Sequence, residues 1–138
     1  MRPRSSYARD EQGSAAVEFA LLVPVTLVLL LGIFHLCFVT YAAGSLHWAV
    51  EQAARCASVG QRNTGLPCGT SIASVKAYAA SIYQGPLVNL DFQPRDMGYC
   101  RRVYGEGTYK IILGFVNVDV PVSATACFPE GNTGAPWN

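Results

Sequence analysis

The strongest pattern in the chain is an apolar run near its N-terminus. Residues 19–39 are almost wholly apolar, and no Asp, Glu, Lys or Arg occurs from Phe19 to Val50. A bilayer core about 30 Å thick needs about 20 such residues in a helix. The run is also longer than the apolar region of about 7–15 residues in a secretory signal. It therefore predicts one membrane-spanning helix over about residues 19–41.

Helical periodicity continues beyond this run. Apolar residues recur at i, i+3, i+4, i+7 and i+11, at Leu46, Ala49, Val50, Ala53 and Ala57. The pattern predicts one helix over residues 14–59, about 70 Å long at 1.5 Å per residue. A second helix is predicted from Ser71 to about Gln84, capped by Thr70 or Ser71 and ended by Gly85 and Pro86.

The C-terminal part of the chain has the character of strands. Residues 97–104 and 108–113 flank Gly105-Glu-Gly107, which predicts a hairpin turn, and a solvated loop is expected to begin around Pro94. Residues 116–126 alternate apolar and polar side chains, as in a half-buried strand. Pro121 places that strand at a sheet edge or at a break. The predicted fold class is α+β: the long helix, a small domain over 60–128, and a flexible tail over 129–138.

Four of the five cysteines follow the apolar run, and Cys37 lies within it or at its outer edge. Because a domain of this size has a small core, disulfides are expected to stabilise it. Cys56, Cys68, Cys100 and Cys127 allow several connectivities. We prefer Cys56–Cys68 and Cys100–Cys127, and the lack of Cys-x-x-Cys spacing argues against zinc.

Charge predicts the orientation and excludes several functions. Arg2, Arg4 and Arg9 precede the apolar run, so the N-terminus is expected in the cytoplasm and the C-terminal domain outside. No phosphate-binding loop or hydrolase motif occurs, and we assign no catalytic, cofactor-binding or metal-ligating residue. Arg101 and Arg102 are expected to face water on a strand. Two adjacent arginines are too few basic residues for a nucleic-acid-binding surface.

Glu18 is the only formal charge between Glu11 and Glu51, and it stands inside the start of the apolar block. An ionised group in a bilayer costs about 2.5–3.5 kcal/mol at mid-depth and less near the edge. A helix N-terminus would favour such a carboxylate by about 0.3–1 kcal/mol. The dipole explains the position but not the order of the surrounding residues, which read Arg9-Asp-Glu-Gln-Gly13 and then Ser14-Ala-Ala-Val-Glu18-Phe-Ala-Leu-Leu-Val-Pro24.

This order of residues resembles the TadE-like minor pilins, or pseudopilins, of the tight-adherence (Tad/Flp) pilus. The likeness covers about residues 9–60. It implies cleavage between Gly13 and Ser14 by a prepilin peptidase, and docking through Glu18 and Phe19, with Pro24 within the span. The implied partners are that peptidase, other pilin-like subunits, the inner-membrane assembly platform and membrane lipid. The implied location is the bacterial inner membrane, with possible entry into a cell-surface pilus that serves adhesion and biofilm formation. One departure is His35, where family members often carry an acid.

Three functions remain open on the sequence. The first is a cleaved pilin-like subunit that supports pilus assembly. The second is an uncleaved single-pass anchor whose exported domain binds another envelope protein. The third is a membrane-tethered enzyme, for which no constellation of residues is found. Because an anchor needs neither the Gly13 junction nor an acid at Glu18, we favour the first and expect no enzymatic activity.

Overall fold

The part of the chain that the structure describes forms two helices and three strands, which confirms the predicted α+β class. The computed structural model describes residues 7–60, 68, 71–113 and 116–129. The elements are α1 (Tyr7–Gly60), α2 (Ile72–Ile82), β1 (Val88–Asp96), β2 (Cys100–Leu113) and β3 (Val116–Pro129). They form two compact units, Met1–Cys37 and Phe38–Asn138, and α1 contributes to both. Of the flexible tail predicted over residues 129–138, Pro129 belongs to β3, and the remainder lies outside the described residues.

The first helix begins at Tyr7 rather than at Ser14. The intervening residues include Ala, Arg, Glu and Gln, which are good helix formers, so the helix extends upstream of the apolar run. It also continues through Pro24, which cannot donate a hydrogen bond to the preceding turn. Nearby, the Thr26 hydroxyl donates to the Leu22 carbonyl at 2.9 Å.

In the second unit, α1 buries the apolar stripe that the sequence predicts. The five stripe residues are no more than 5% exposed, and they are Leu46, Ala49, Val50, Ala53 and Ala57. Ala42 and Ala54 are buried as well. Because most of these side chains are small, the helix backbone lies close to the elements that cover it.

The second helix starts where the sequence predicts and ends two residues early. Ser71 is its N-cap and exchanges hydrogen bonds with Ser74 in a capping box. Val75 and Ala79 are buried, and the helix ends at Ile82. Beyond its end, the Ser45 hydroxyl of α1 donates to the Gln84 carbonyl at 2.6 Å. This contact ties the end of α2 to α1.

The sheet is antiparallel with strand order β1-β2-β3, so β2 is central. Strand β1 is missing from the sequence prediction: the expected loop at Pro94 is wrong, because Pro94 is buried in β1 opposite Val103. Pro is accommodated there because β1 is an edge strand. Strand β3 is the other edge, as Pro121 predicts, and its even-numbered side chains from Val120 to Phe128 face the core.

The hairpin turn predicted at Gly105-Glu-Gly107 is wrong. Both glycines lie inside β2, where Gly105 pairs with Phe92 on one side and Ala124 on the other. A Cβ on Gly105 would lie 2.8 Å from Val50 Cγ2, and one on Gly107 would lie 3.1 Å from Leu87 Cβ. These glycines are therefore sites of close packing rather than of a turn.

Arg101 also departs from its prediction, because it is buried instead of facing water. Its side chain is 1% exposed, and Nη1 lies 3.0 Å from Oδ2 of Asp96, its cross-strand partner. Burial lowers the pKa of Arg101 from its ordinary value, and the Asp96 carboxylate acts in the opposite direction. Arg102, its neighbour on the other face, is partly exposed.

Two disulfides connect the elements of the second unit. Cys56 of α1 joins Cys68 with a Cα–Cα distance of 6.1 Å, and Cys100 of β2 joins Cys127 of β3 at 5.7 Å. This is the connectivity preferred from the sequence. Cys37 takes part in neither bond and is exposed.

Candidate processing and docking segment

All five residues assigned to processing and docking lie on α1, which places them on one rigid element. Ser14 and Glu18 are four residues apart and therefore share a face of the helix. Gly13 precedes them by less than two turns, and a Cβ added to it would meet nothing within 4 Å. Ser14 and Glu18 are therefore both accessible on one side of α1, and Gly13 is exposed on the helix as well.

From Val17 to Leu36 the surface of α1 is apolar on all sides of the helix, apart from Glu18, Thr26 and His35. Apart from Val23, the large apolar side chains from Val17 to Leu36 are 49–72% exposed. An 18-residue window of this helix reaches a mean hydropathy of 2.6, and none of it is buried. A helix that is apolar on all sides needs lipid or other helices around it. The segment is long and apolar enough to cross a bilayer.

Glu18 is exposed on this surface, close to its start. Phe19, the next residue, is 70% exposed. Any partner that covers this part of α1 must therefore bury a carboxylate together with apolar surface. Such a carboxylate needs a cation or hydrogen-bond donors from the partner.

His35 is partly exposed on the same helix. Among the residues that the structure describes, no group of three or more His, Cys, Asp and Glu side chains could hold a metal ion. The described surroundings of His35 therefore do not indicate a metal-binding role that would account for a histidine at this position.

A feature that the sequence analysis did not identify lies in the second unit. A groove of about 410 Å³ runs between α1 and the end of α2, lined by Tyr41, Gly44, Ser45, Trp48, Ile82 and Gln84. We call it the aromatic groove. Tyr41 and Trp48 are 57% and 52% exposed. The helical spacing of Tyr41 and Trp48 is readable in the sequence, but the approach of Gln84 to Ser45 is not.

A second groove, of about 440 Å³, lies on the outer face of the sheet and is lined in part by Tyr104, Glu106 and Ser123. The Tyr104 hydroxyl donates to Glu106 Oε2 at 3.1 Å. Its polar groups form no arrangement typical of nucleophilic or acid–base catalysis.

Comparison with known proteins bears on the N-terminal segment. Residues 13–55 match the family model described as TadE-like protein. No curated protein and no solved structure matches the chain. The matched range begins at Gly13, includes Glu18, Phe19 and Pro24, and ends at Arg55 within α1. Over this segment the chain is similar to the TadE-like proteins, and the match supports a pilin-like protein associated with the Tad pilus.

Proposed function

We propose that the protein is a pilin-like minor subunit that is cleaved after Gly13 and docks through its apolar helix to support assembly of a Tad/Flp pilus and adhesion. The observation that carries this proposal is the apolar surface of α1, exposed on all sides and interrupted near its start by Glu18. Lipid covers such a surface before assembly, and the helices of other subunits cover it afterwards. The protein needs no catalytic activity for this role.

Cleavage between Gly13 and Ser14 requires that a peptidase reach an extended backbone. Both residues lie inside α1, so the helix must open locally before the bond can be cut. Gly13 makes this easier, because Gly in a helix interior is less favourable than Ala by about 1 kcal/mol. The absence of a side chain also lets the peptidase approach the bond closely.

Glu18 acquires a partner when the leader is removed. The new amino group at Ser14 is a cation next to an apolar surface, and Glu18 is the only carboxylate within that surface. Pairing between the amine of one subunit and Glu18 of the next offsets part of the desolvation cost of both charges. Assembly is then coupled to cleavage, because an uncleaved chain lacks the amine.

The proposed orientation places the N-terminus in the cytoplasm and the chain from about Tyr41 onward outside the inner membrane. Arg2, Arg4 and Arg9 favour this orientation, since basic residues flanking a span stay in the cytoplasm. An oxidising exterior also suits the disulfides Cys56–Cys68 and Cys100–Cys127. The proposed partners are the prepilin peptidase, other pilin-like subunits, the assembly platform and lipid.

A second candidate is the uncleaved membrane anchor. One observation favours it: α1 runs without interruption from Tyr7 past Gly13 and Ser14, so the proposed scissile bond is helical. An anchor would retain its leader and bind an envelope partner through the second unit.

Intact mass and N-terminal sequence of the protein from native membranes, without reductant, distinguish these functions. A mature start at Ser14 is expected, and a start at Met1 would support the anchor. Gly13→Leu should leave the leader attached. Gly32→Leu is the matched control, because Gly32 lies on the same helix with open space around it. If Gly13→Leu still begins at Ser14, cleavage does not depend on this junction.

A further inference from the structure

We propose that one end of the second unit, formed by the aromatic groove and by Ile112, lies in the interfacial layer of the bilayer. This inference rests on the proposed function, because it requires that α1 span the membrane. It adds a lipid-contacting surface outside the span, and its ligand is the headgroup and glycerol region of phospholipid.

Three segments that lack charged residues form this end. They are residues 38–50 of α1, residues 77–90 around the end of α2, and the adjoining ends of β2 and β3 at residues 111–112 and 117–118; none contains Asp, Glu, Lys or Arg. The first charges beyond them are Glu51, Lys76, Asp91 and the cross-strand neighbours Lys110 and Asp119.

Contacts within the unit show how these segments are arranged. The Ser45 hydroxyl donates a hydrogen bond to the Gln84 carbonyl, so the chain just beyond α2 lies beside the middle of residues 38–50. Gly105 of β2 packs on Val50. At the opposite end of the sheet, Cζ of Arg55 lies 4.9 Å from the ring centre of Phe128 in β3. Phe128 is the cross-strand partner of Arg101 in β2.

The contact of Gly105 with Val50 and that of Phe128 with Arg55 give the direction of the sheet along α1. From Val50 to Arg55, α1 advances toward the end of the sheet that contains Arg101. In the opposite direction, β2 runs from Gly105 to Ile112 toward lower-numbered residues of α1. A strand rises about 3.3 Å per residue and a helix about 1.5 Å, so the four residues from Gly105 to Arg101 cover about 13 Å of β2 where α1 advances about 7.5 Å from Val50 to Arg55. The same ratio places Ile112 at about the level of residues 38–42. Ile112 is 71% exposed.

The depth of the aromatic groove fits the same layer. The polar regions of a bilayer add about 5–8 Å on each side of the hydrocarbon core. With Tyr41 at the edge of the core, the backbone of Trp48 is two turns further, about 10 Å along the helix and therefore just beyond this layer. Helical side chains lean toward the N-terminus, so the indole of Trp48 is directed back toward the bilayer. Tyr and Trp are enriched at this depth because each has an apolar ring and a polar group.

A flat partner such as the bilayer surface accounts for the three uncharged segments better than a single protein helix does. A helix from another subunit would cover one groove, whereas the uncharged surface includes α1, the end of α2 and the strand ends. Since the chain enters this unit at Phe38, at the end of the apolar run, the bilayer is the surface that all three segments would meet.

Tryptophan fluorescence of the full chain in vesicles of phosphatidylcholine and phosphatidylglycerol tests the proposal. The chain has two Trp residues, so Trp137→Phe leaves Trp48 as the only reporter. Lipids brominated near the glycerol end should quench about half of the Trp48 emission and shift its maximum to shorter wavelength, as expected for an interfacial indole. Lipids brominated at the chain end should quench less.

Two further variants each carry a single Trp at another position. In both variants Phe replaces Trp48 and Trp137. Ile112→Trp should be quenched as Trp48 is. Tyr99→Trp is the matched control, because Tyr99 is 68% exposed between β1 and β2, at the opposite end of the sheet, and should remain unquenched. Quenching of all three reporters to the same extent would overturn the proposal, since it would indicate general collapse onto the membrane.

Failure of the inference differs from failure of the proposed function. If the protein resists alkaline carbonate extraction from the vesicles but Trp48 is not quenched, the span stands and the interfacial surface is refuted. If carbonate extracts the protein, the span and the inference both fail. A shifted Trp48 emission that depends on the protein-to-lipid ratio and not on bromination would assign the groove to a second copy and overturn the lipid contact.

Discussion

Val50 of α1 occupies the space that a side chain on Gly105 of β2 would need. A Cβ built on Gly105 would lie 2.8 Å from Val50 Cγ2 and 3.0 Å from Cε1 of Phe92. Contacts this short require neighbouring atoms to move. The approach of α1 to the sheet therefore depends on glycine at this position.

Gly105→Ala is expected to destabilise the protein by about 1–3 kcal/mol, the usual cost of overpacking a core. The matched control is Gly44→Ala, because Gly44 lies in α1 with nothing within 4 Å of its would-be Cβ. That substitution should stabilise the helix by up to about 1 kcal/mol. Denaturant unfolding of the full chain in detergent, followed by circular dichroism, measures both. Equal stability of the two variants would contradict the packing role of Gly105.

The glycines of β2 also show why the sequence predicted only part of the fold. Gly105 and Gly107 indicate a turn when residues are read locally, because the need for space comes from Val50 and Leu87, distant in sequence. Strand β3 was predicted correctly because its alternation is a local pattern that matches its two faces. The burial of Arg101 depends on cross-strand Asp96 and could not be recognised without the register.

Loss of either disulfide should destabilise the second unit. The Cys100–Cys127 bond closes a loop with a sequence separation of 27, and Cys56–Cys68 one of 12. The chain-entropy model gives about 3–4 kcal/mol for the longer loop and about 3 kcal/mol for the shorter. Replacing both cysteines of a pair by Ser and measuring denaturant unfolding tests this. Cys37→Ala, which removes neither bond, should unfold at the same denaturant concentration as the parent protein.

The Lys76–Asp91 pair joins α2 to β1 and should give the protein a pH-dependent stability. Hydrogen bonding from Lys76, assisted by Gln93, lowers the pKa of Asp91 below its ordinary value of 3.8. Because the folded-state pKa is the lower one, this stabilisation is present above about pH 4 and is lost as the pH falls through the folded-state pKa. Asp91 is well exposed to solvent, so the effect is modest.

Asp91→Asn should therefore lower Tm slightly at pH 7 and leave a smaller fall in Tm between neutral and acid pH. Thermal unfolding at a series of pH values measures the difference. Glu51→Gln is the control, because Glu51 is an exposed carboxylate on α1 that belongs to neither salt bridge. If Asp91→Asn and the parent protein lose the same Tm on acidification, Asp91 is not the group responsible.

The sequence is enough to propose the candidate processing and docking segment, but it does not indicate the aromatic groove. Gly13, Ser14 and Glu18 form a short local string, so their order can be recognised without a structure. The aromatic groove depends on the contact of Ser45 with Gln84, 39 residues away in sequence, and on the solvent exposure of Trp48. Neither property is encoded in a local pattern.

Glu18→Ala should separate membrane insertion from subunit docking. Removing the carboxylate makes the span more apolar, so the protein is expected to remain in the membrane after carbonate extraction. Docking should weaken strongly, because the amine of the neighbouring subunit would be buried without its partner, at a cost of about 3–5 kcal/mol. The measurement is recovery of the protein with sheared pili and with other pilin-like subunits. Glu51→Ala, which removes an exposed carboxylate of α1 beyond the apolar run, should assemble normally. Normal pilus formation by Glu18→Ala would show that the carboxylate has no part in docking.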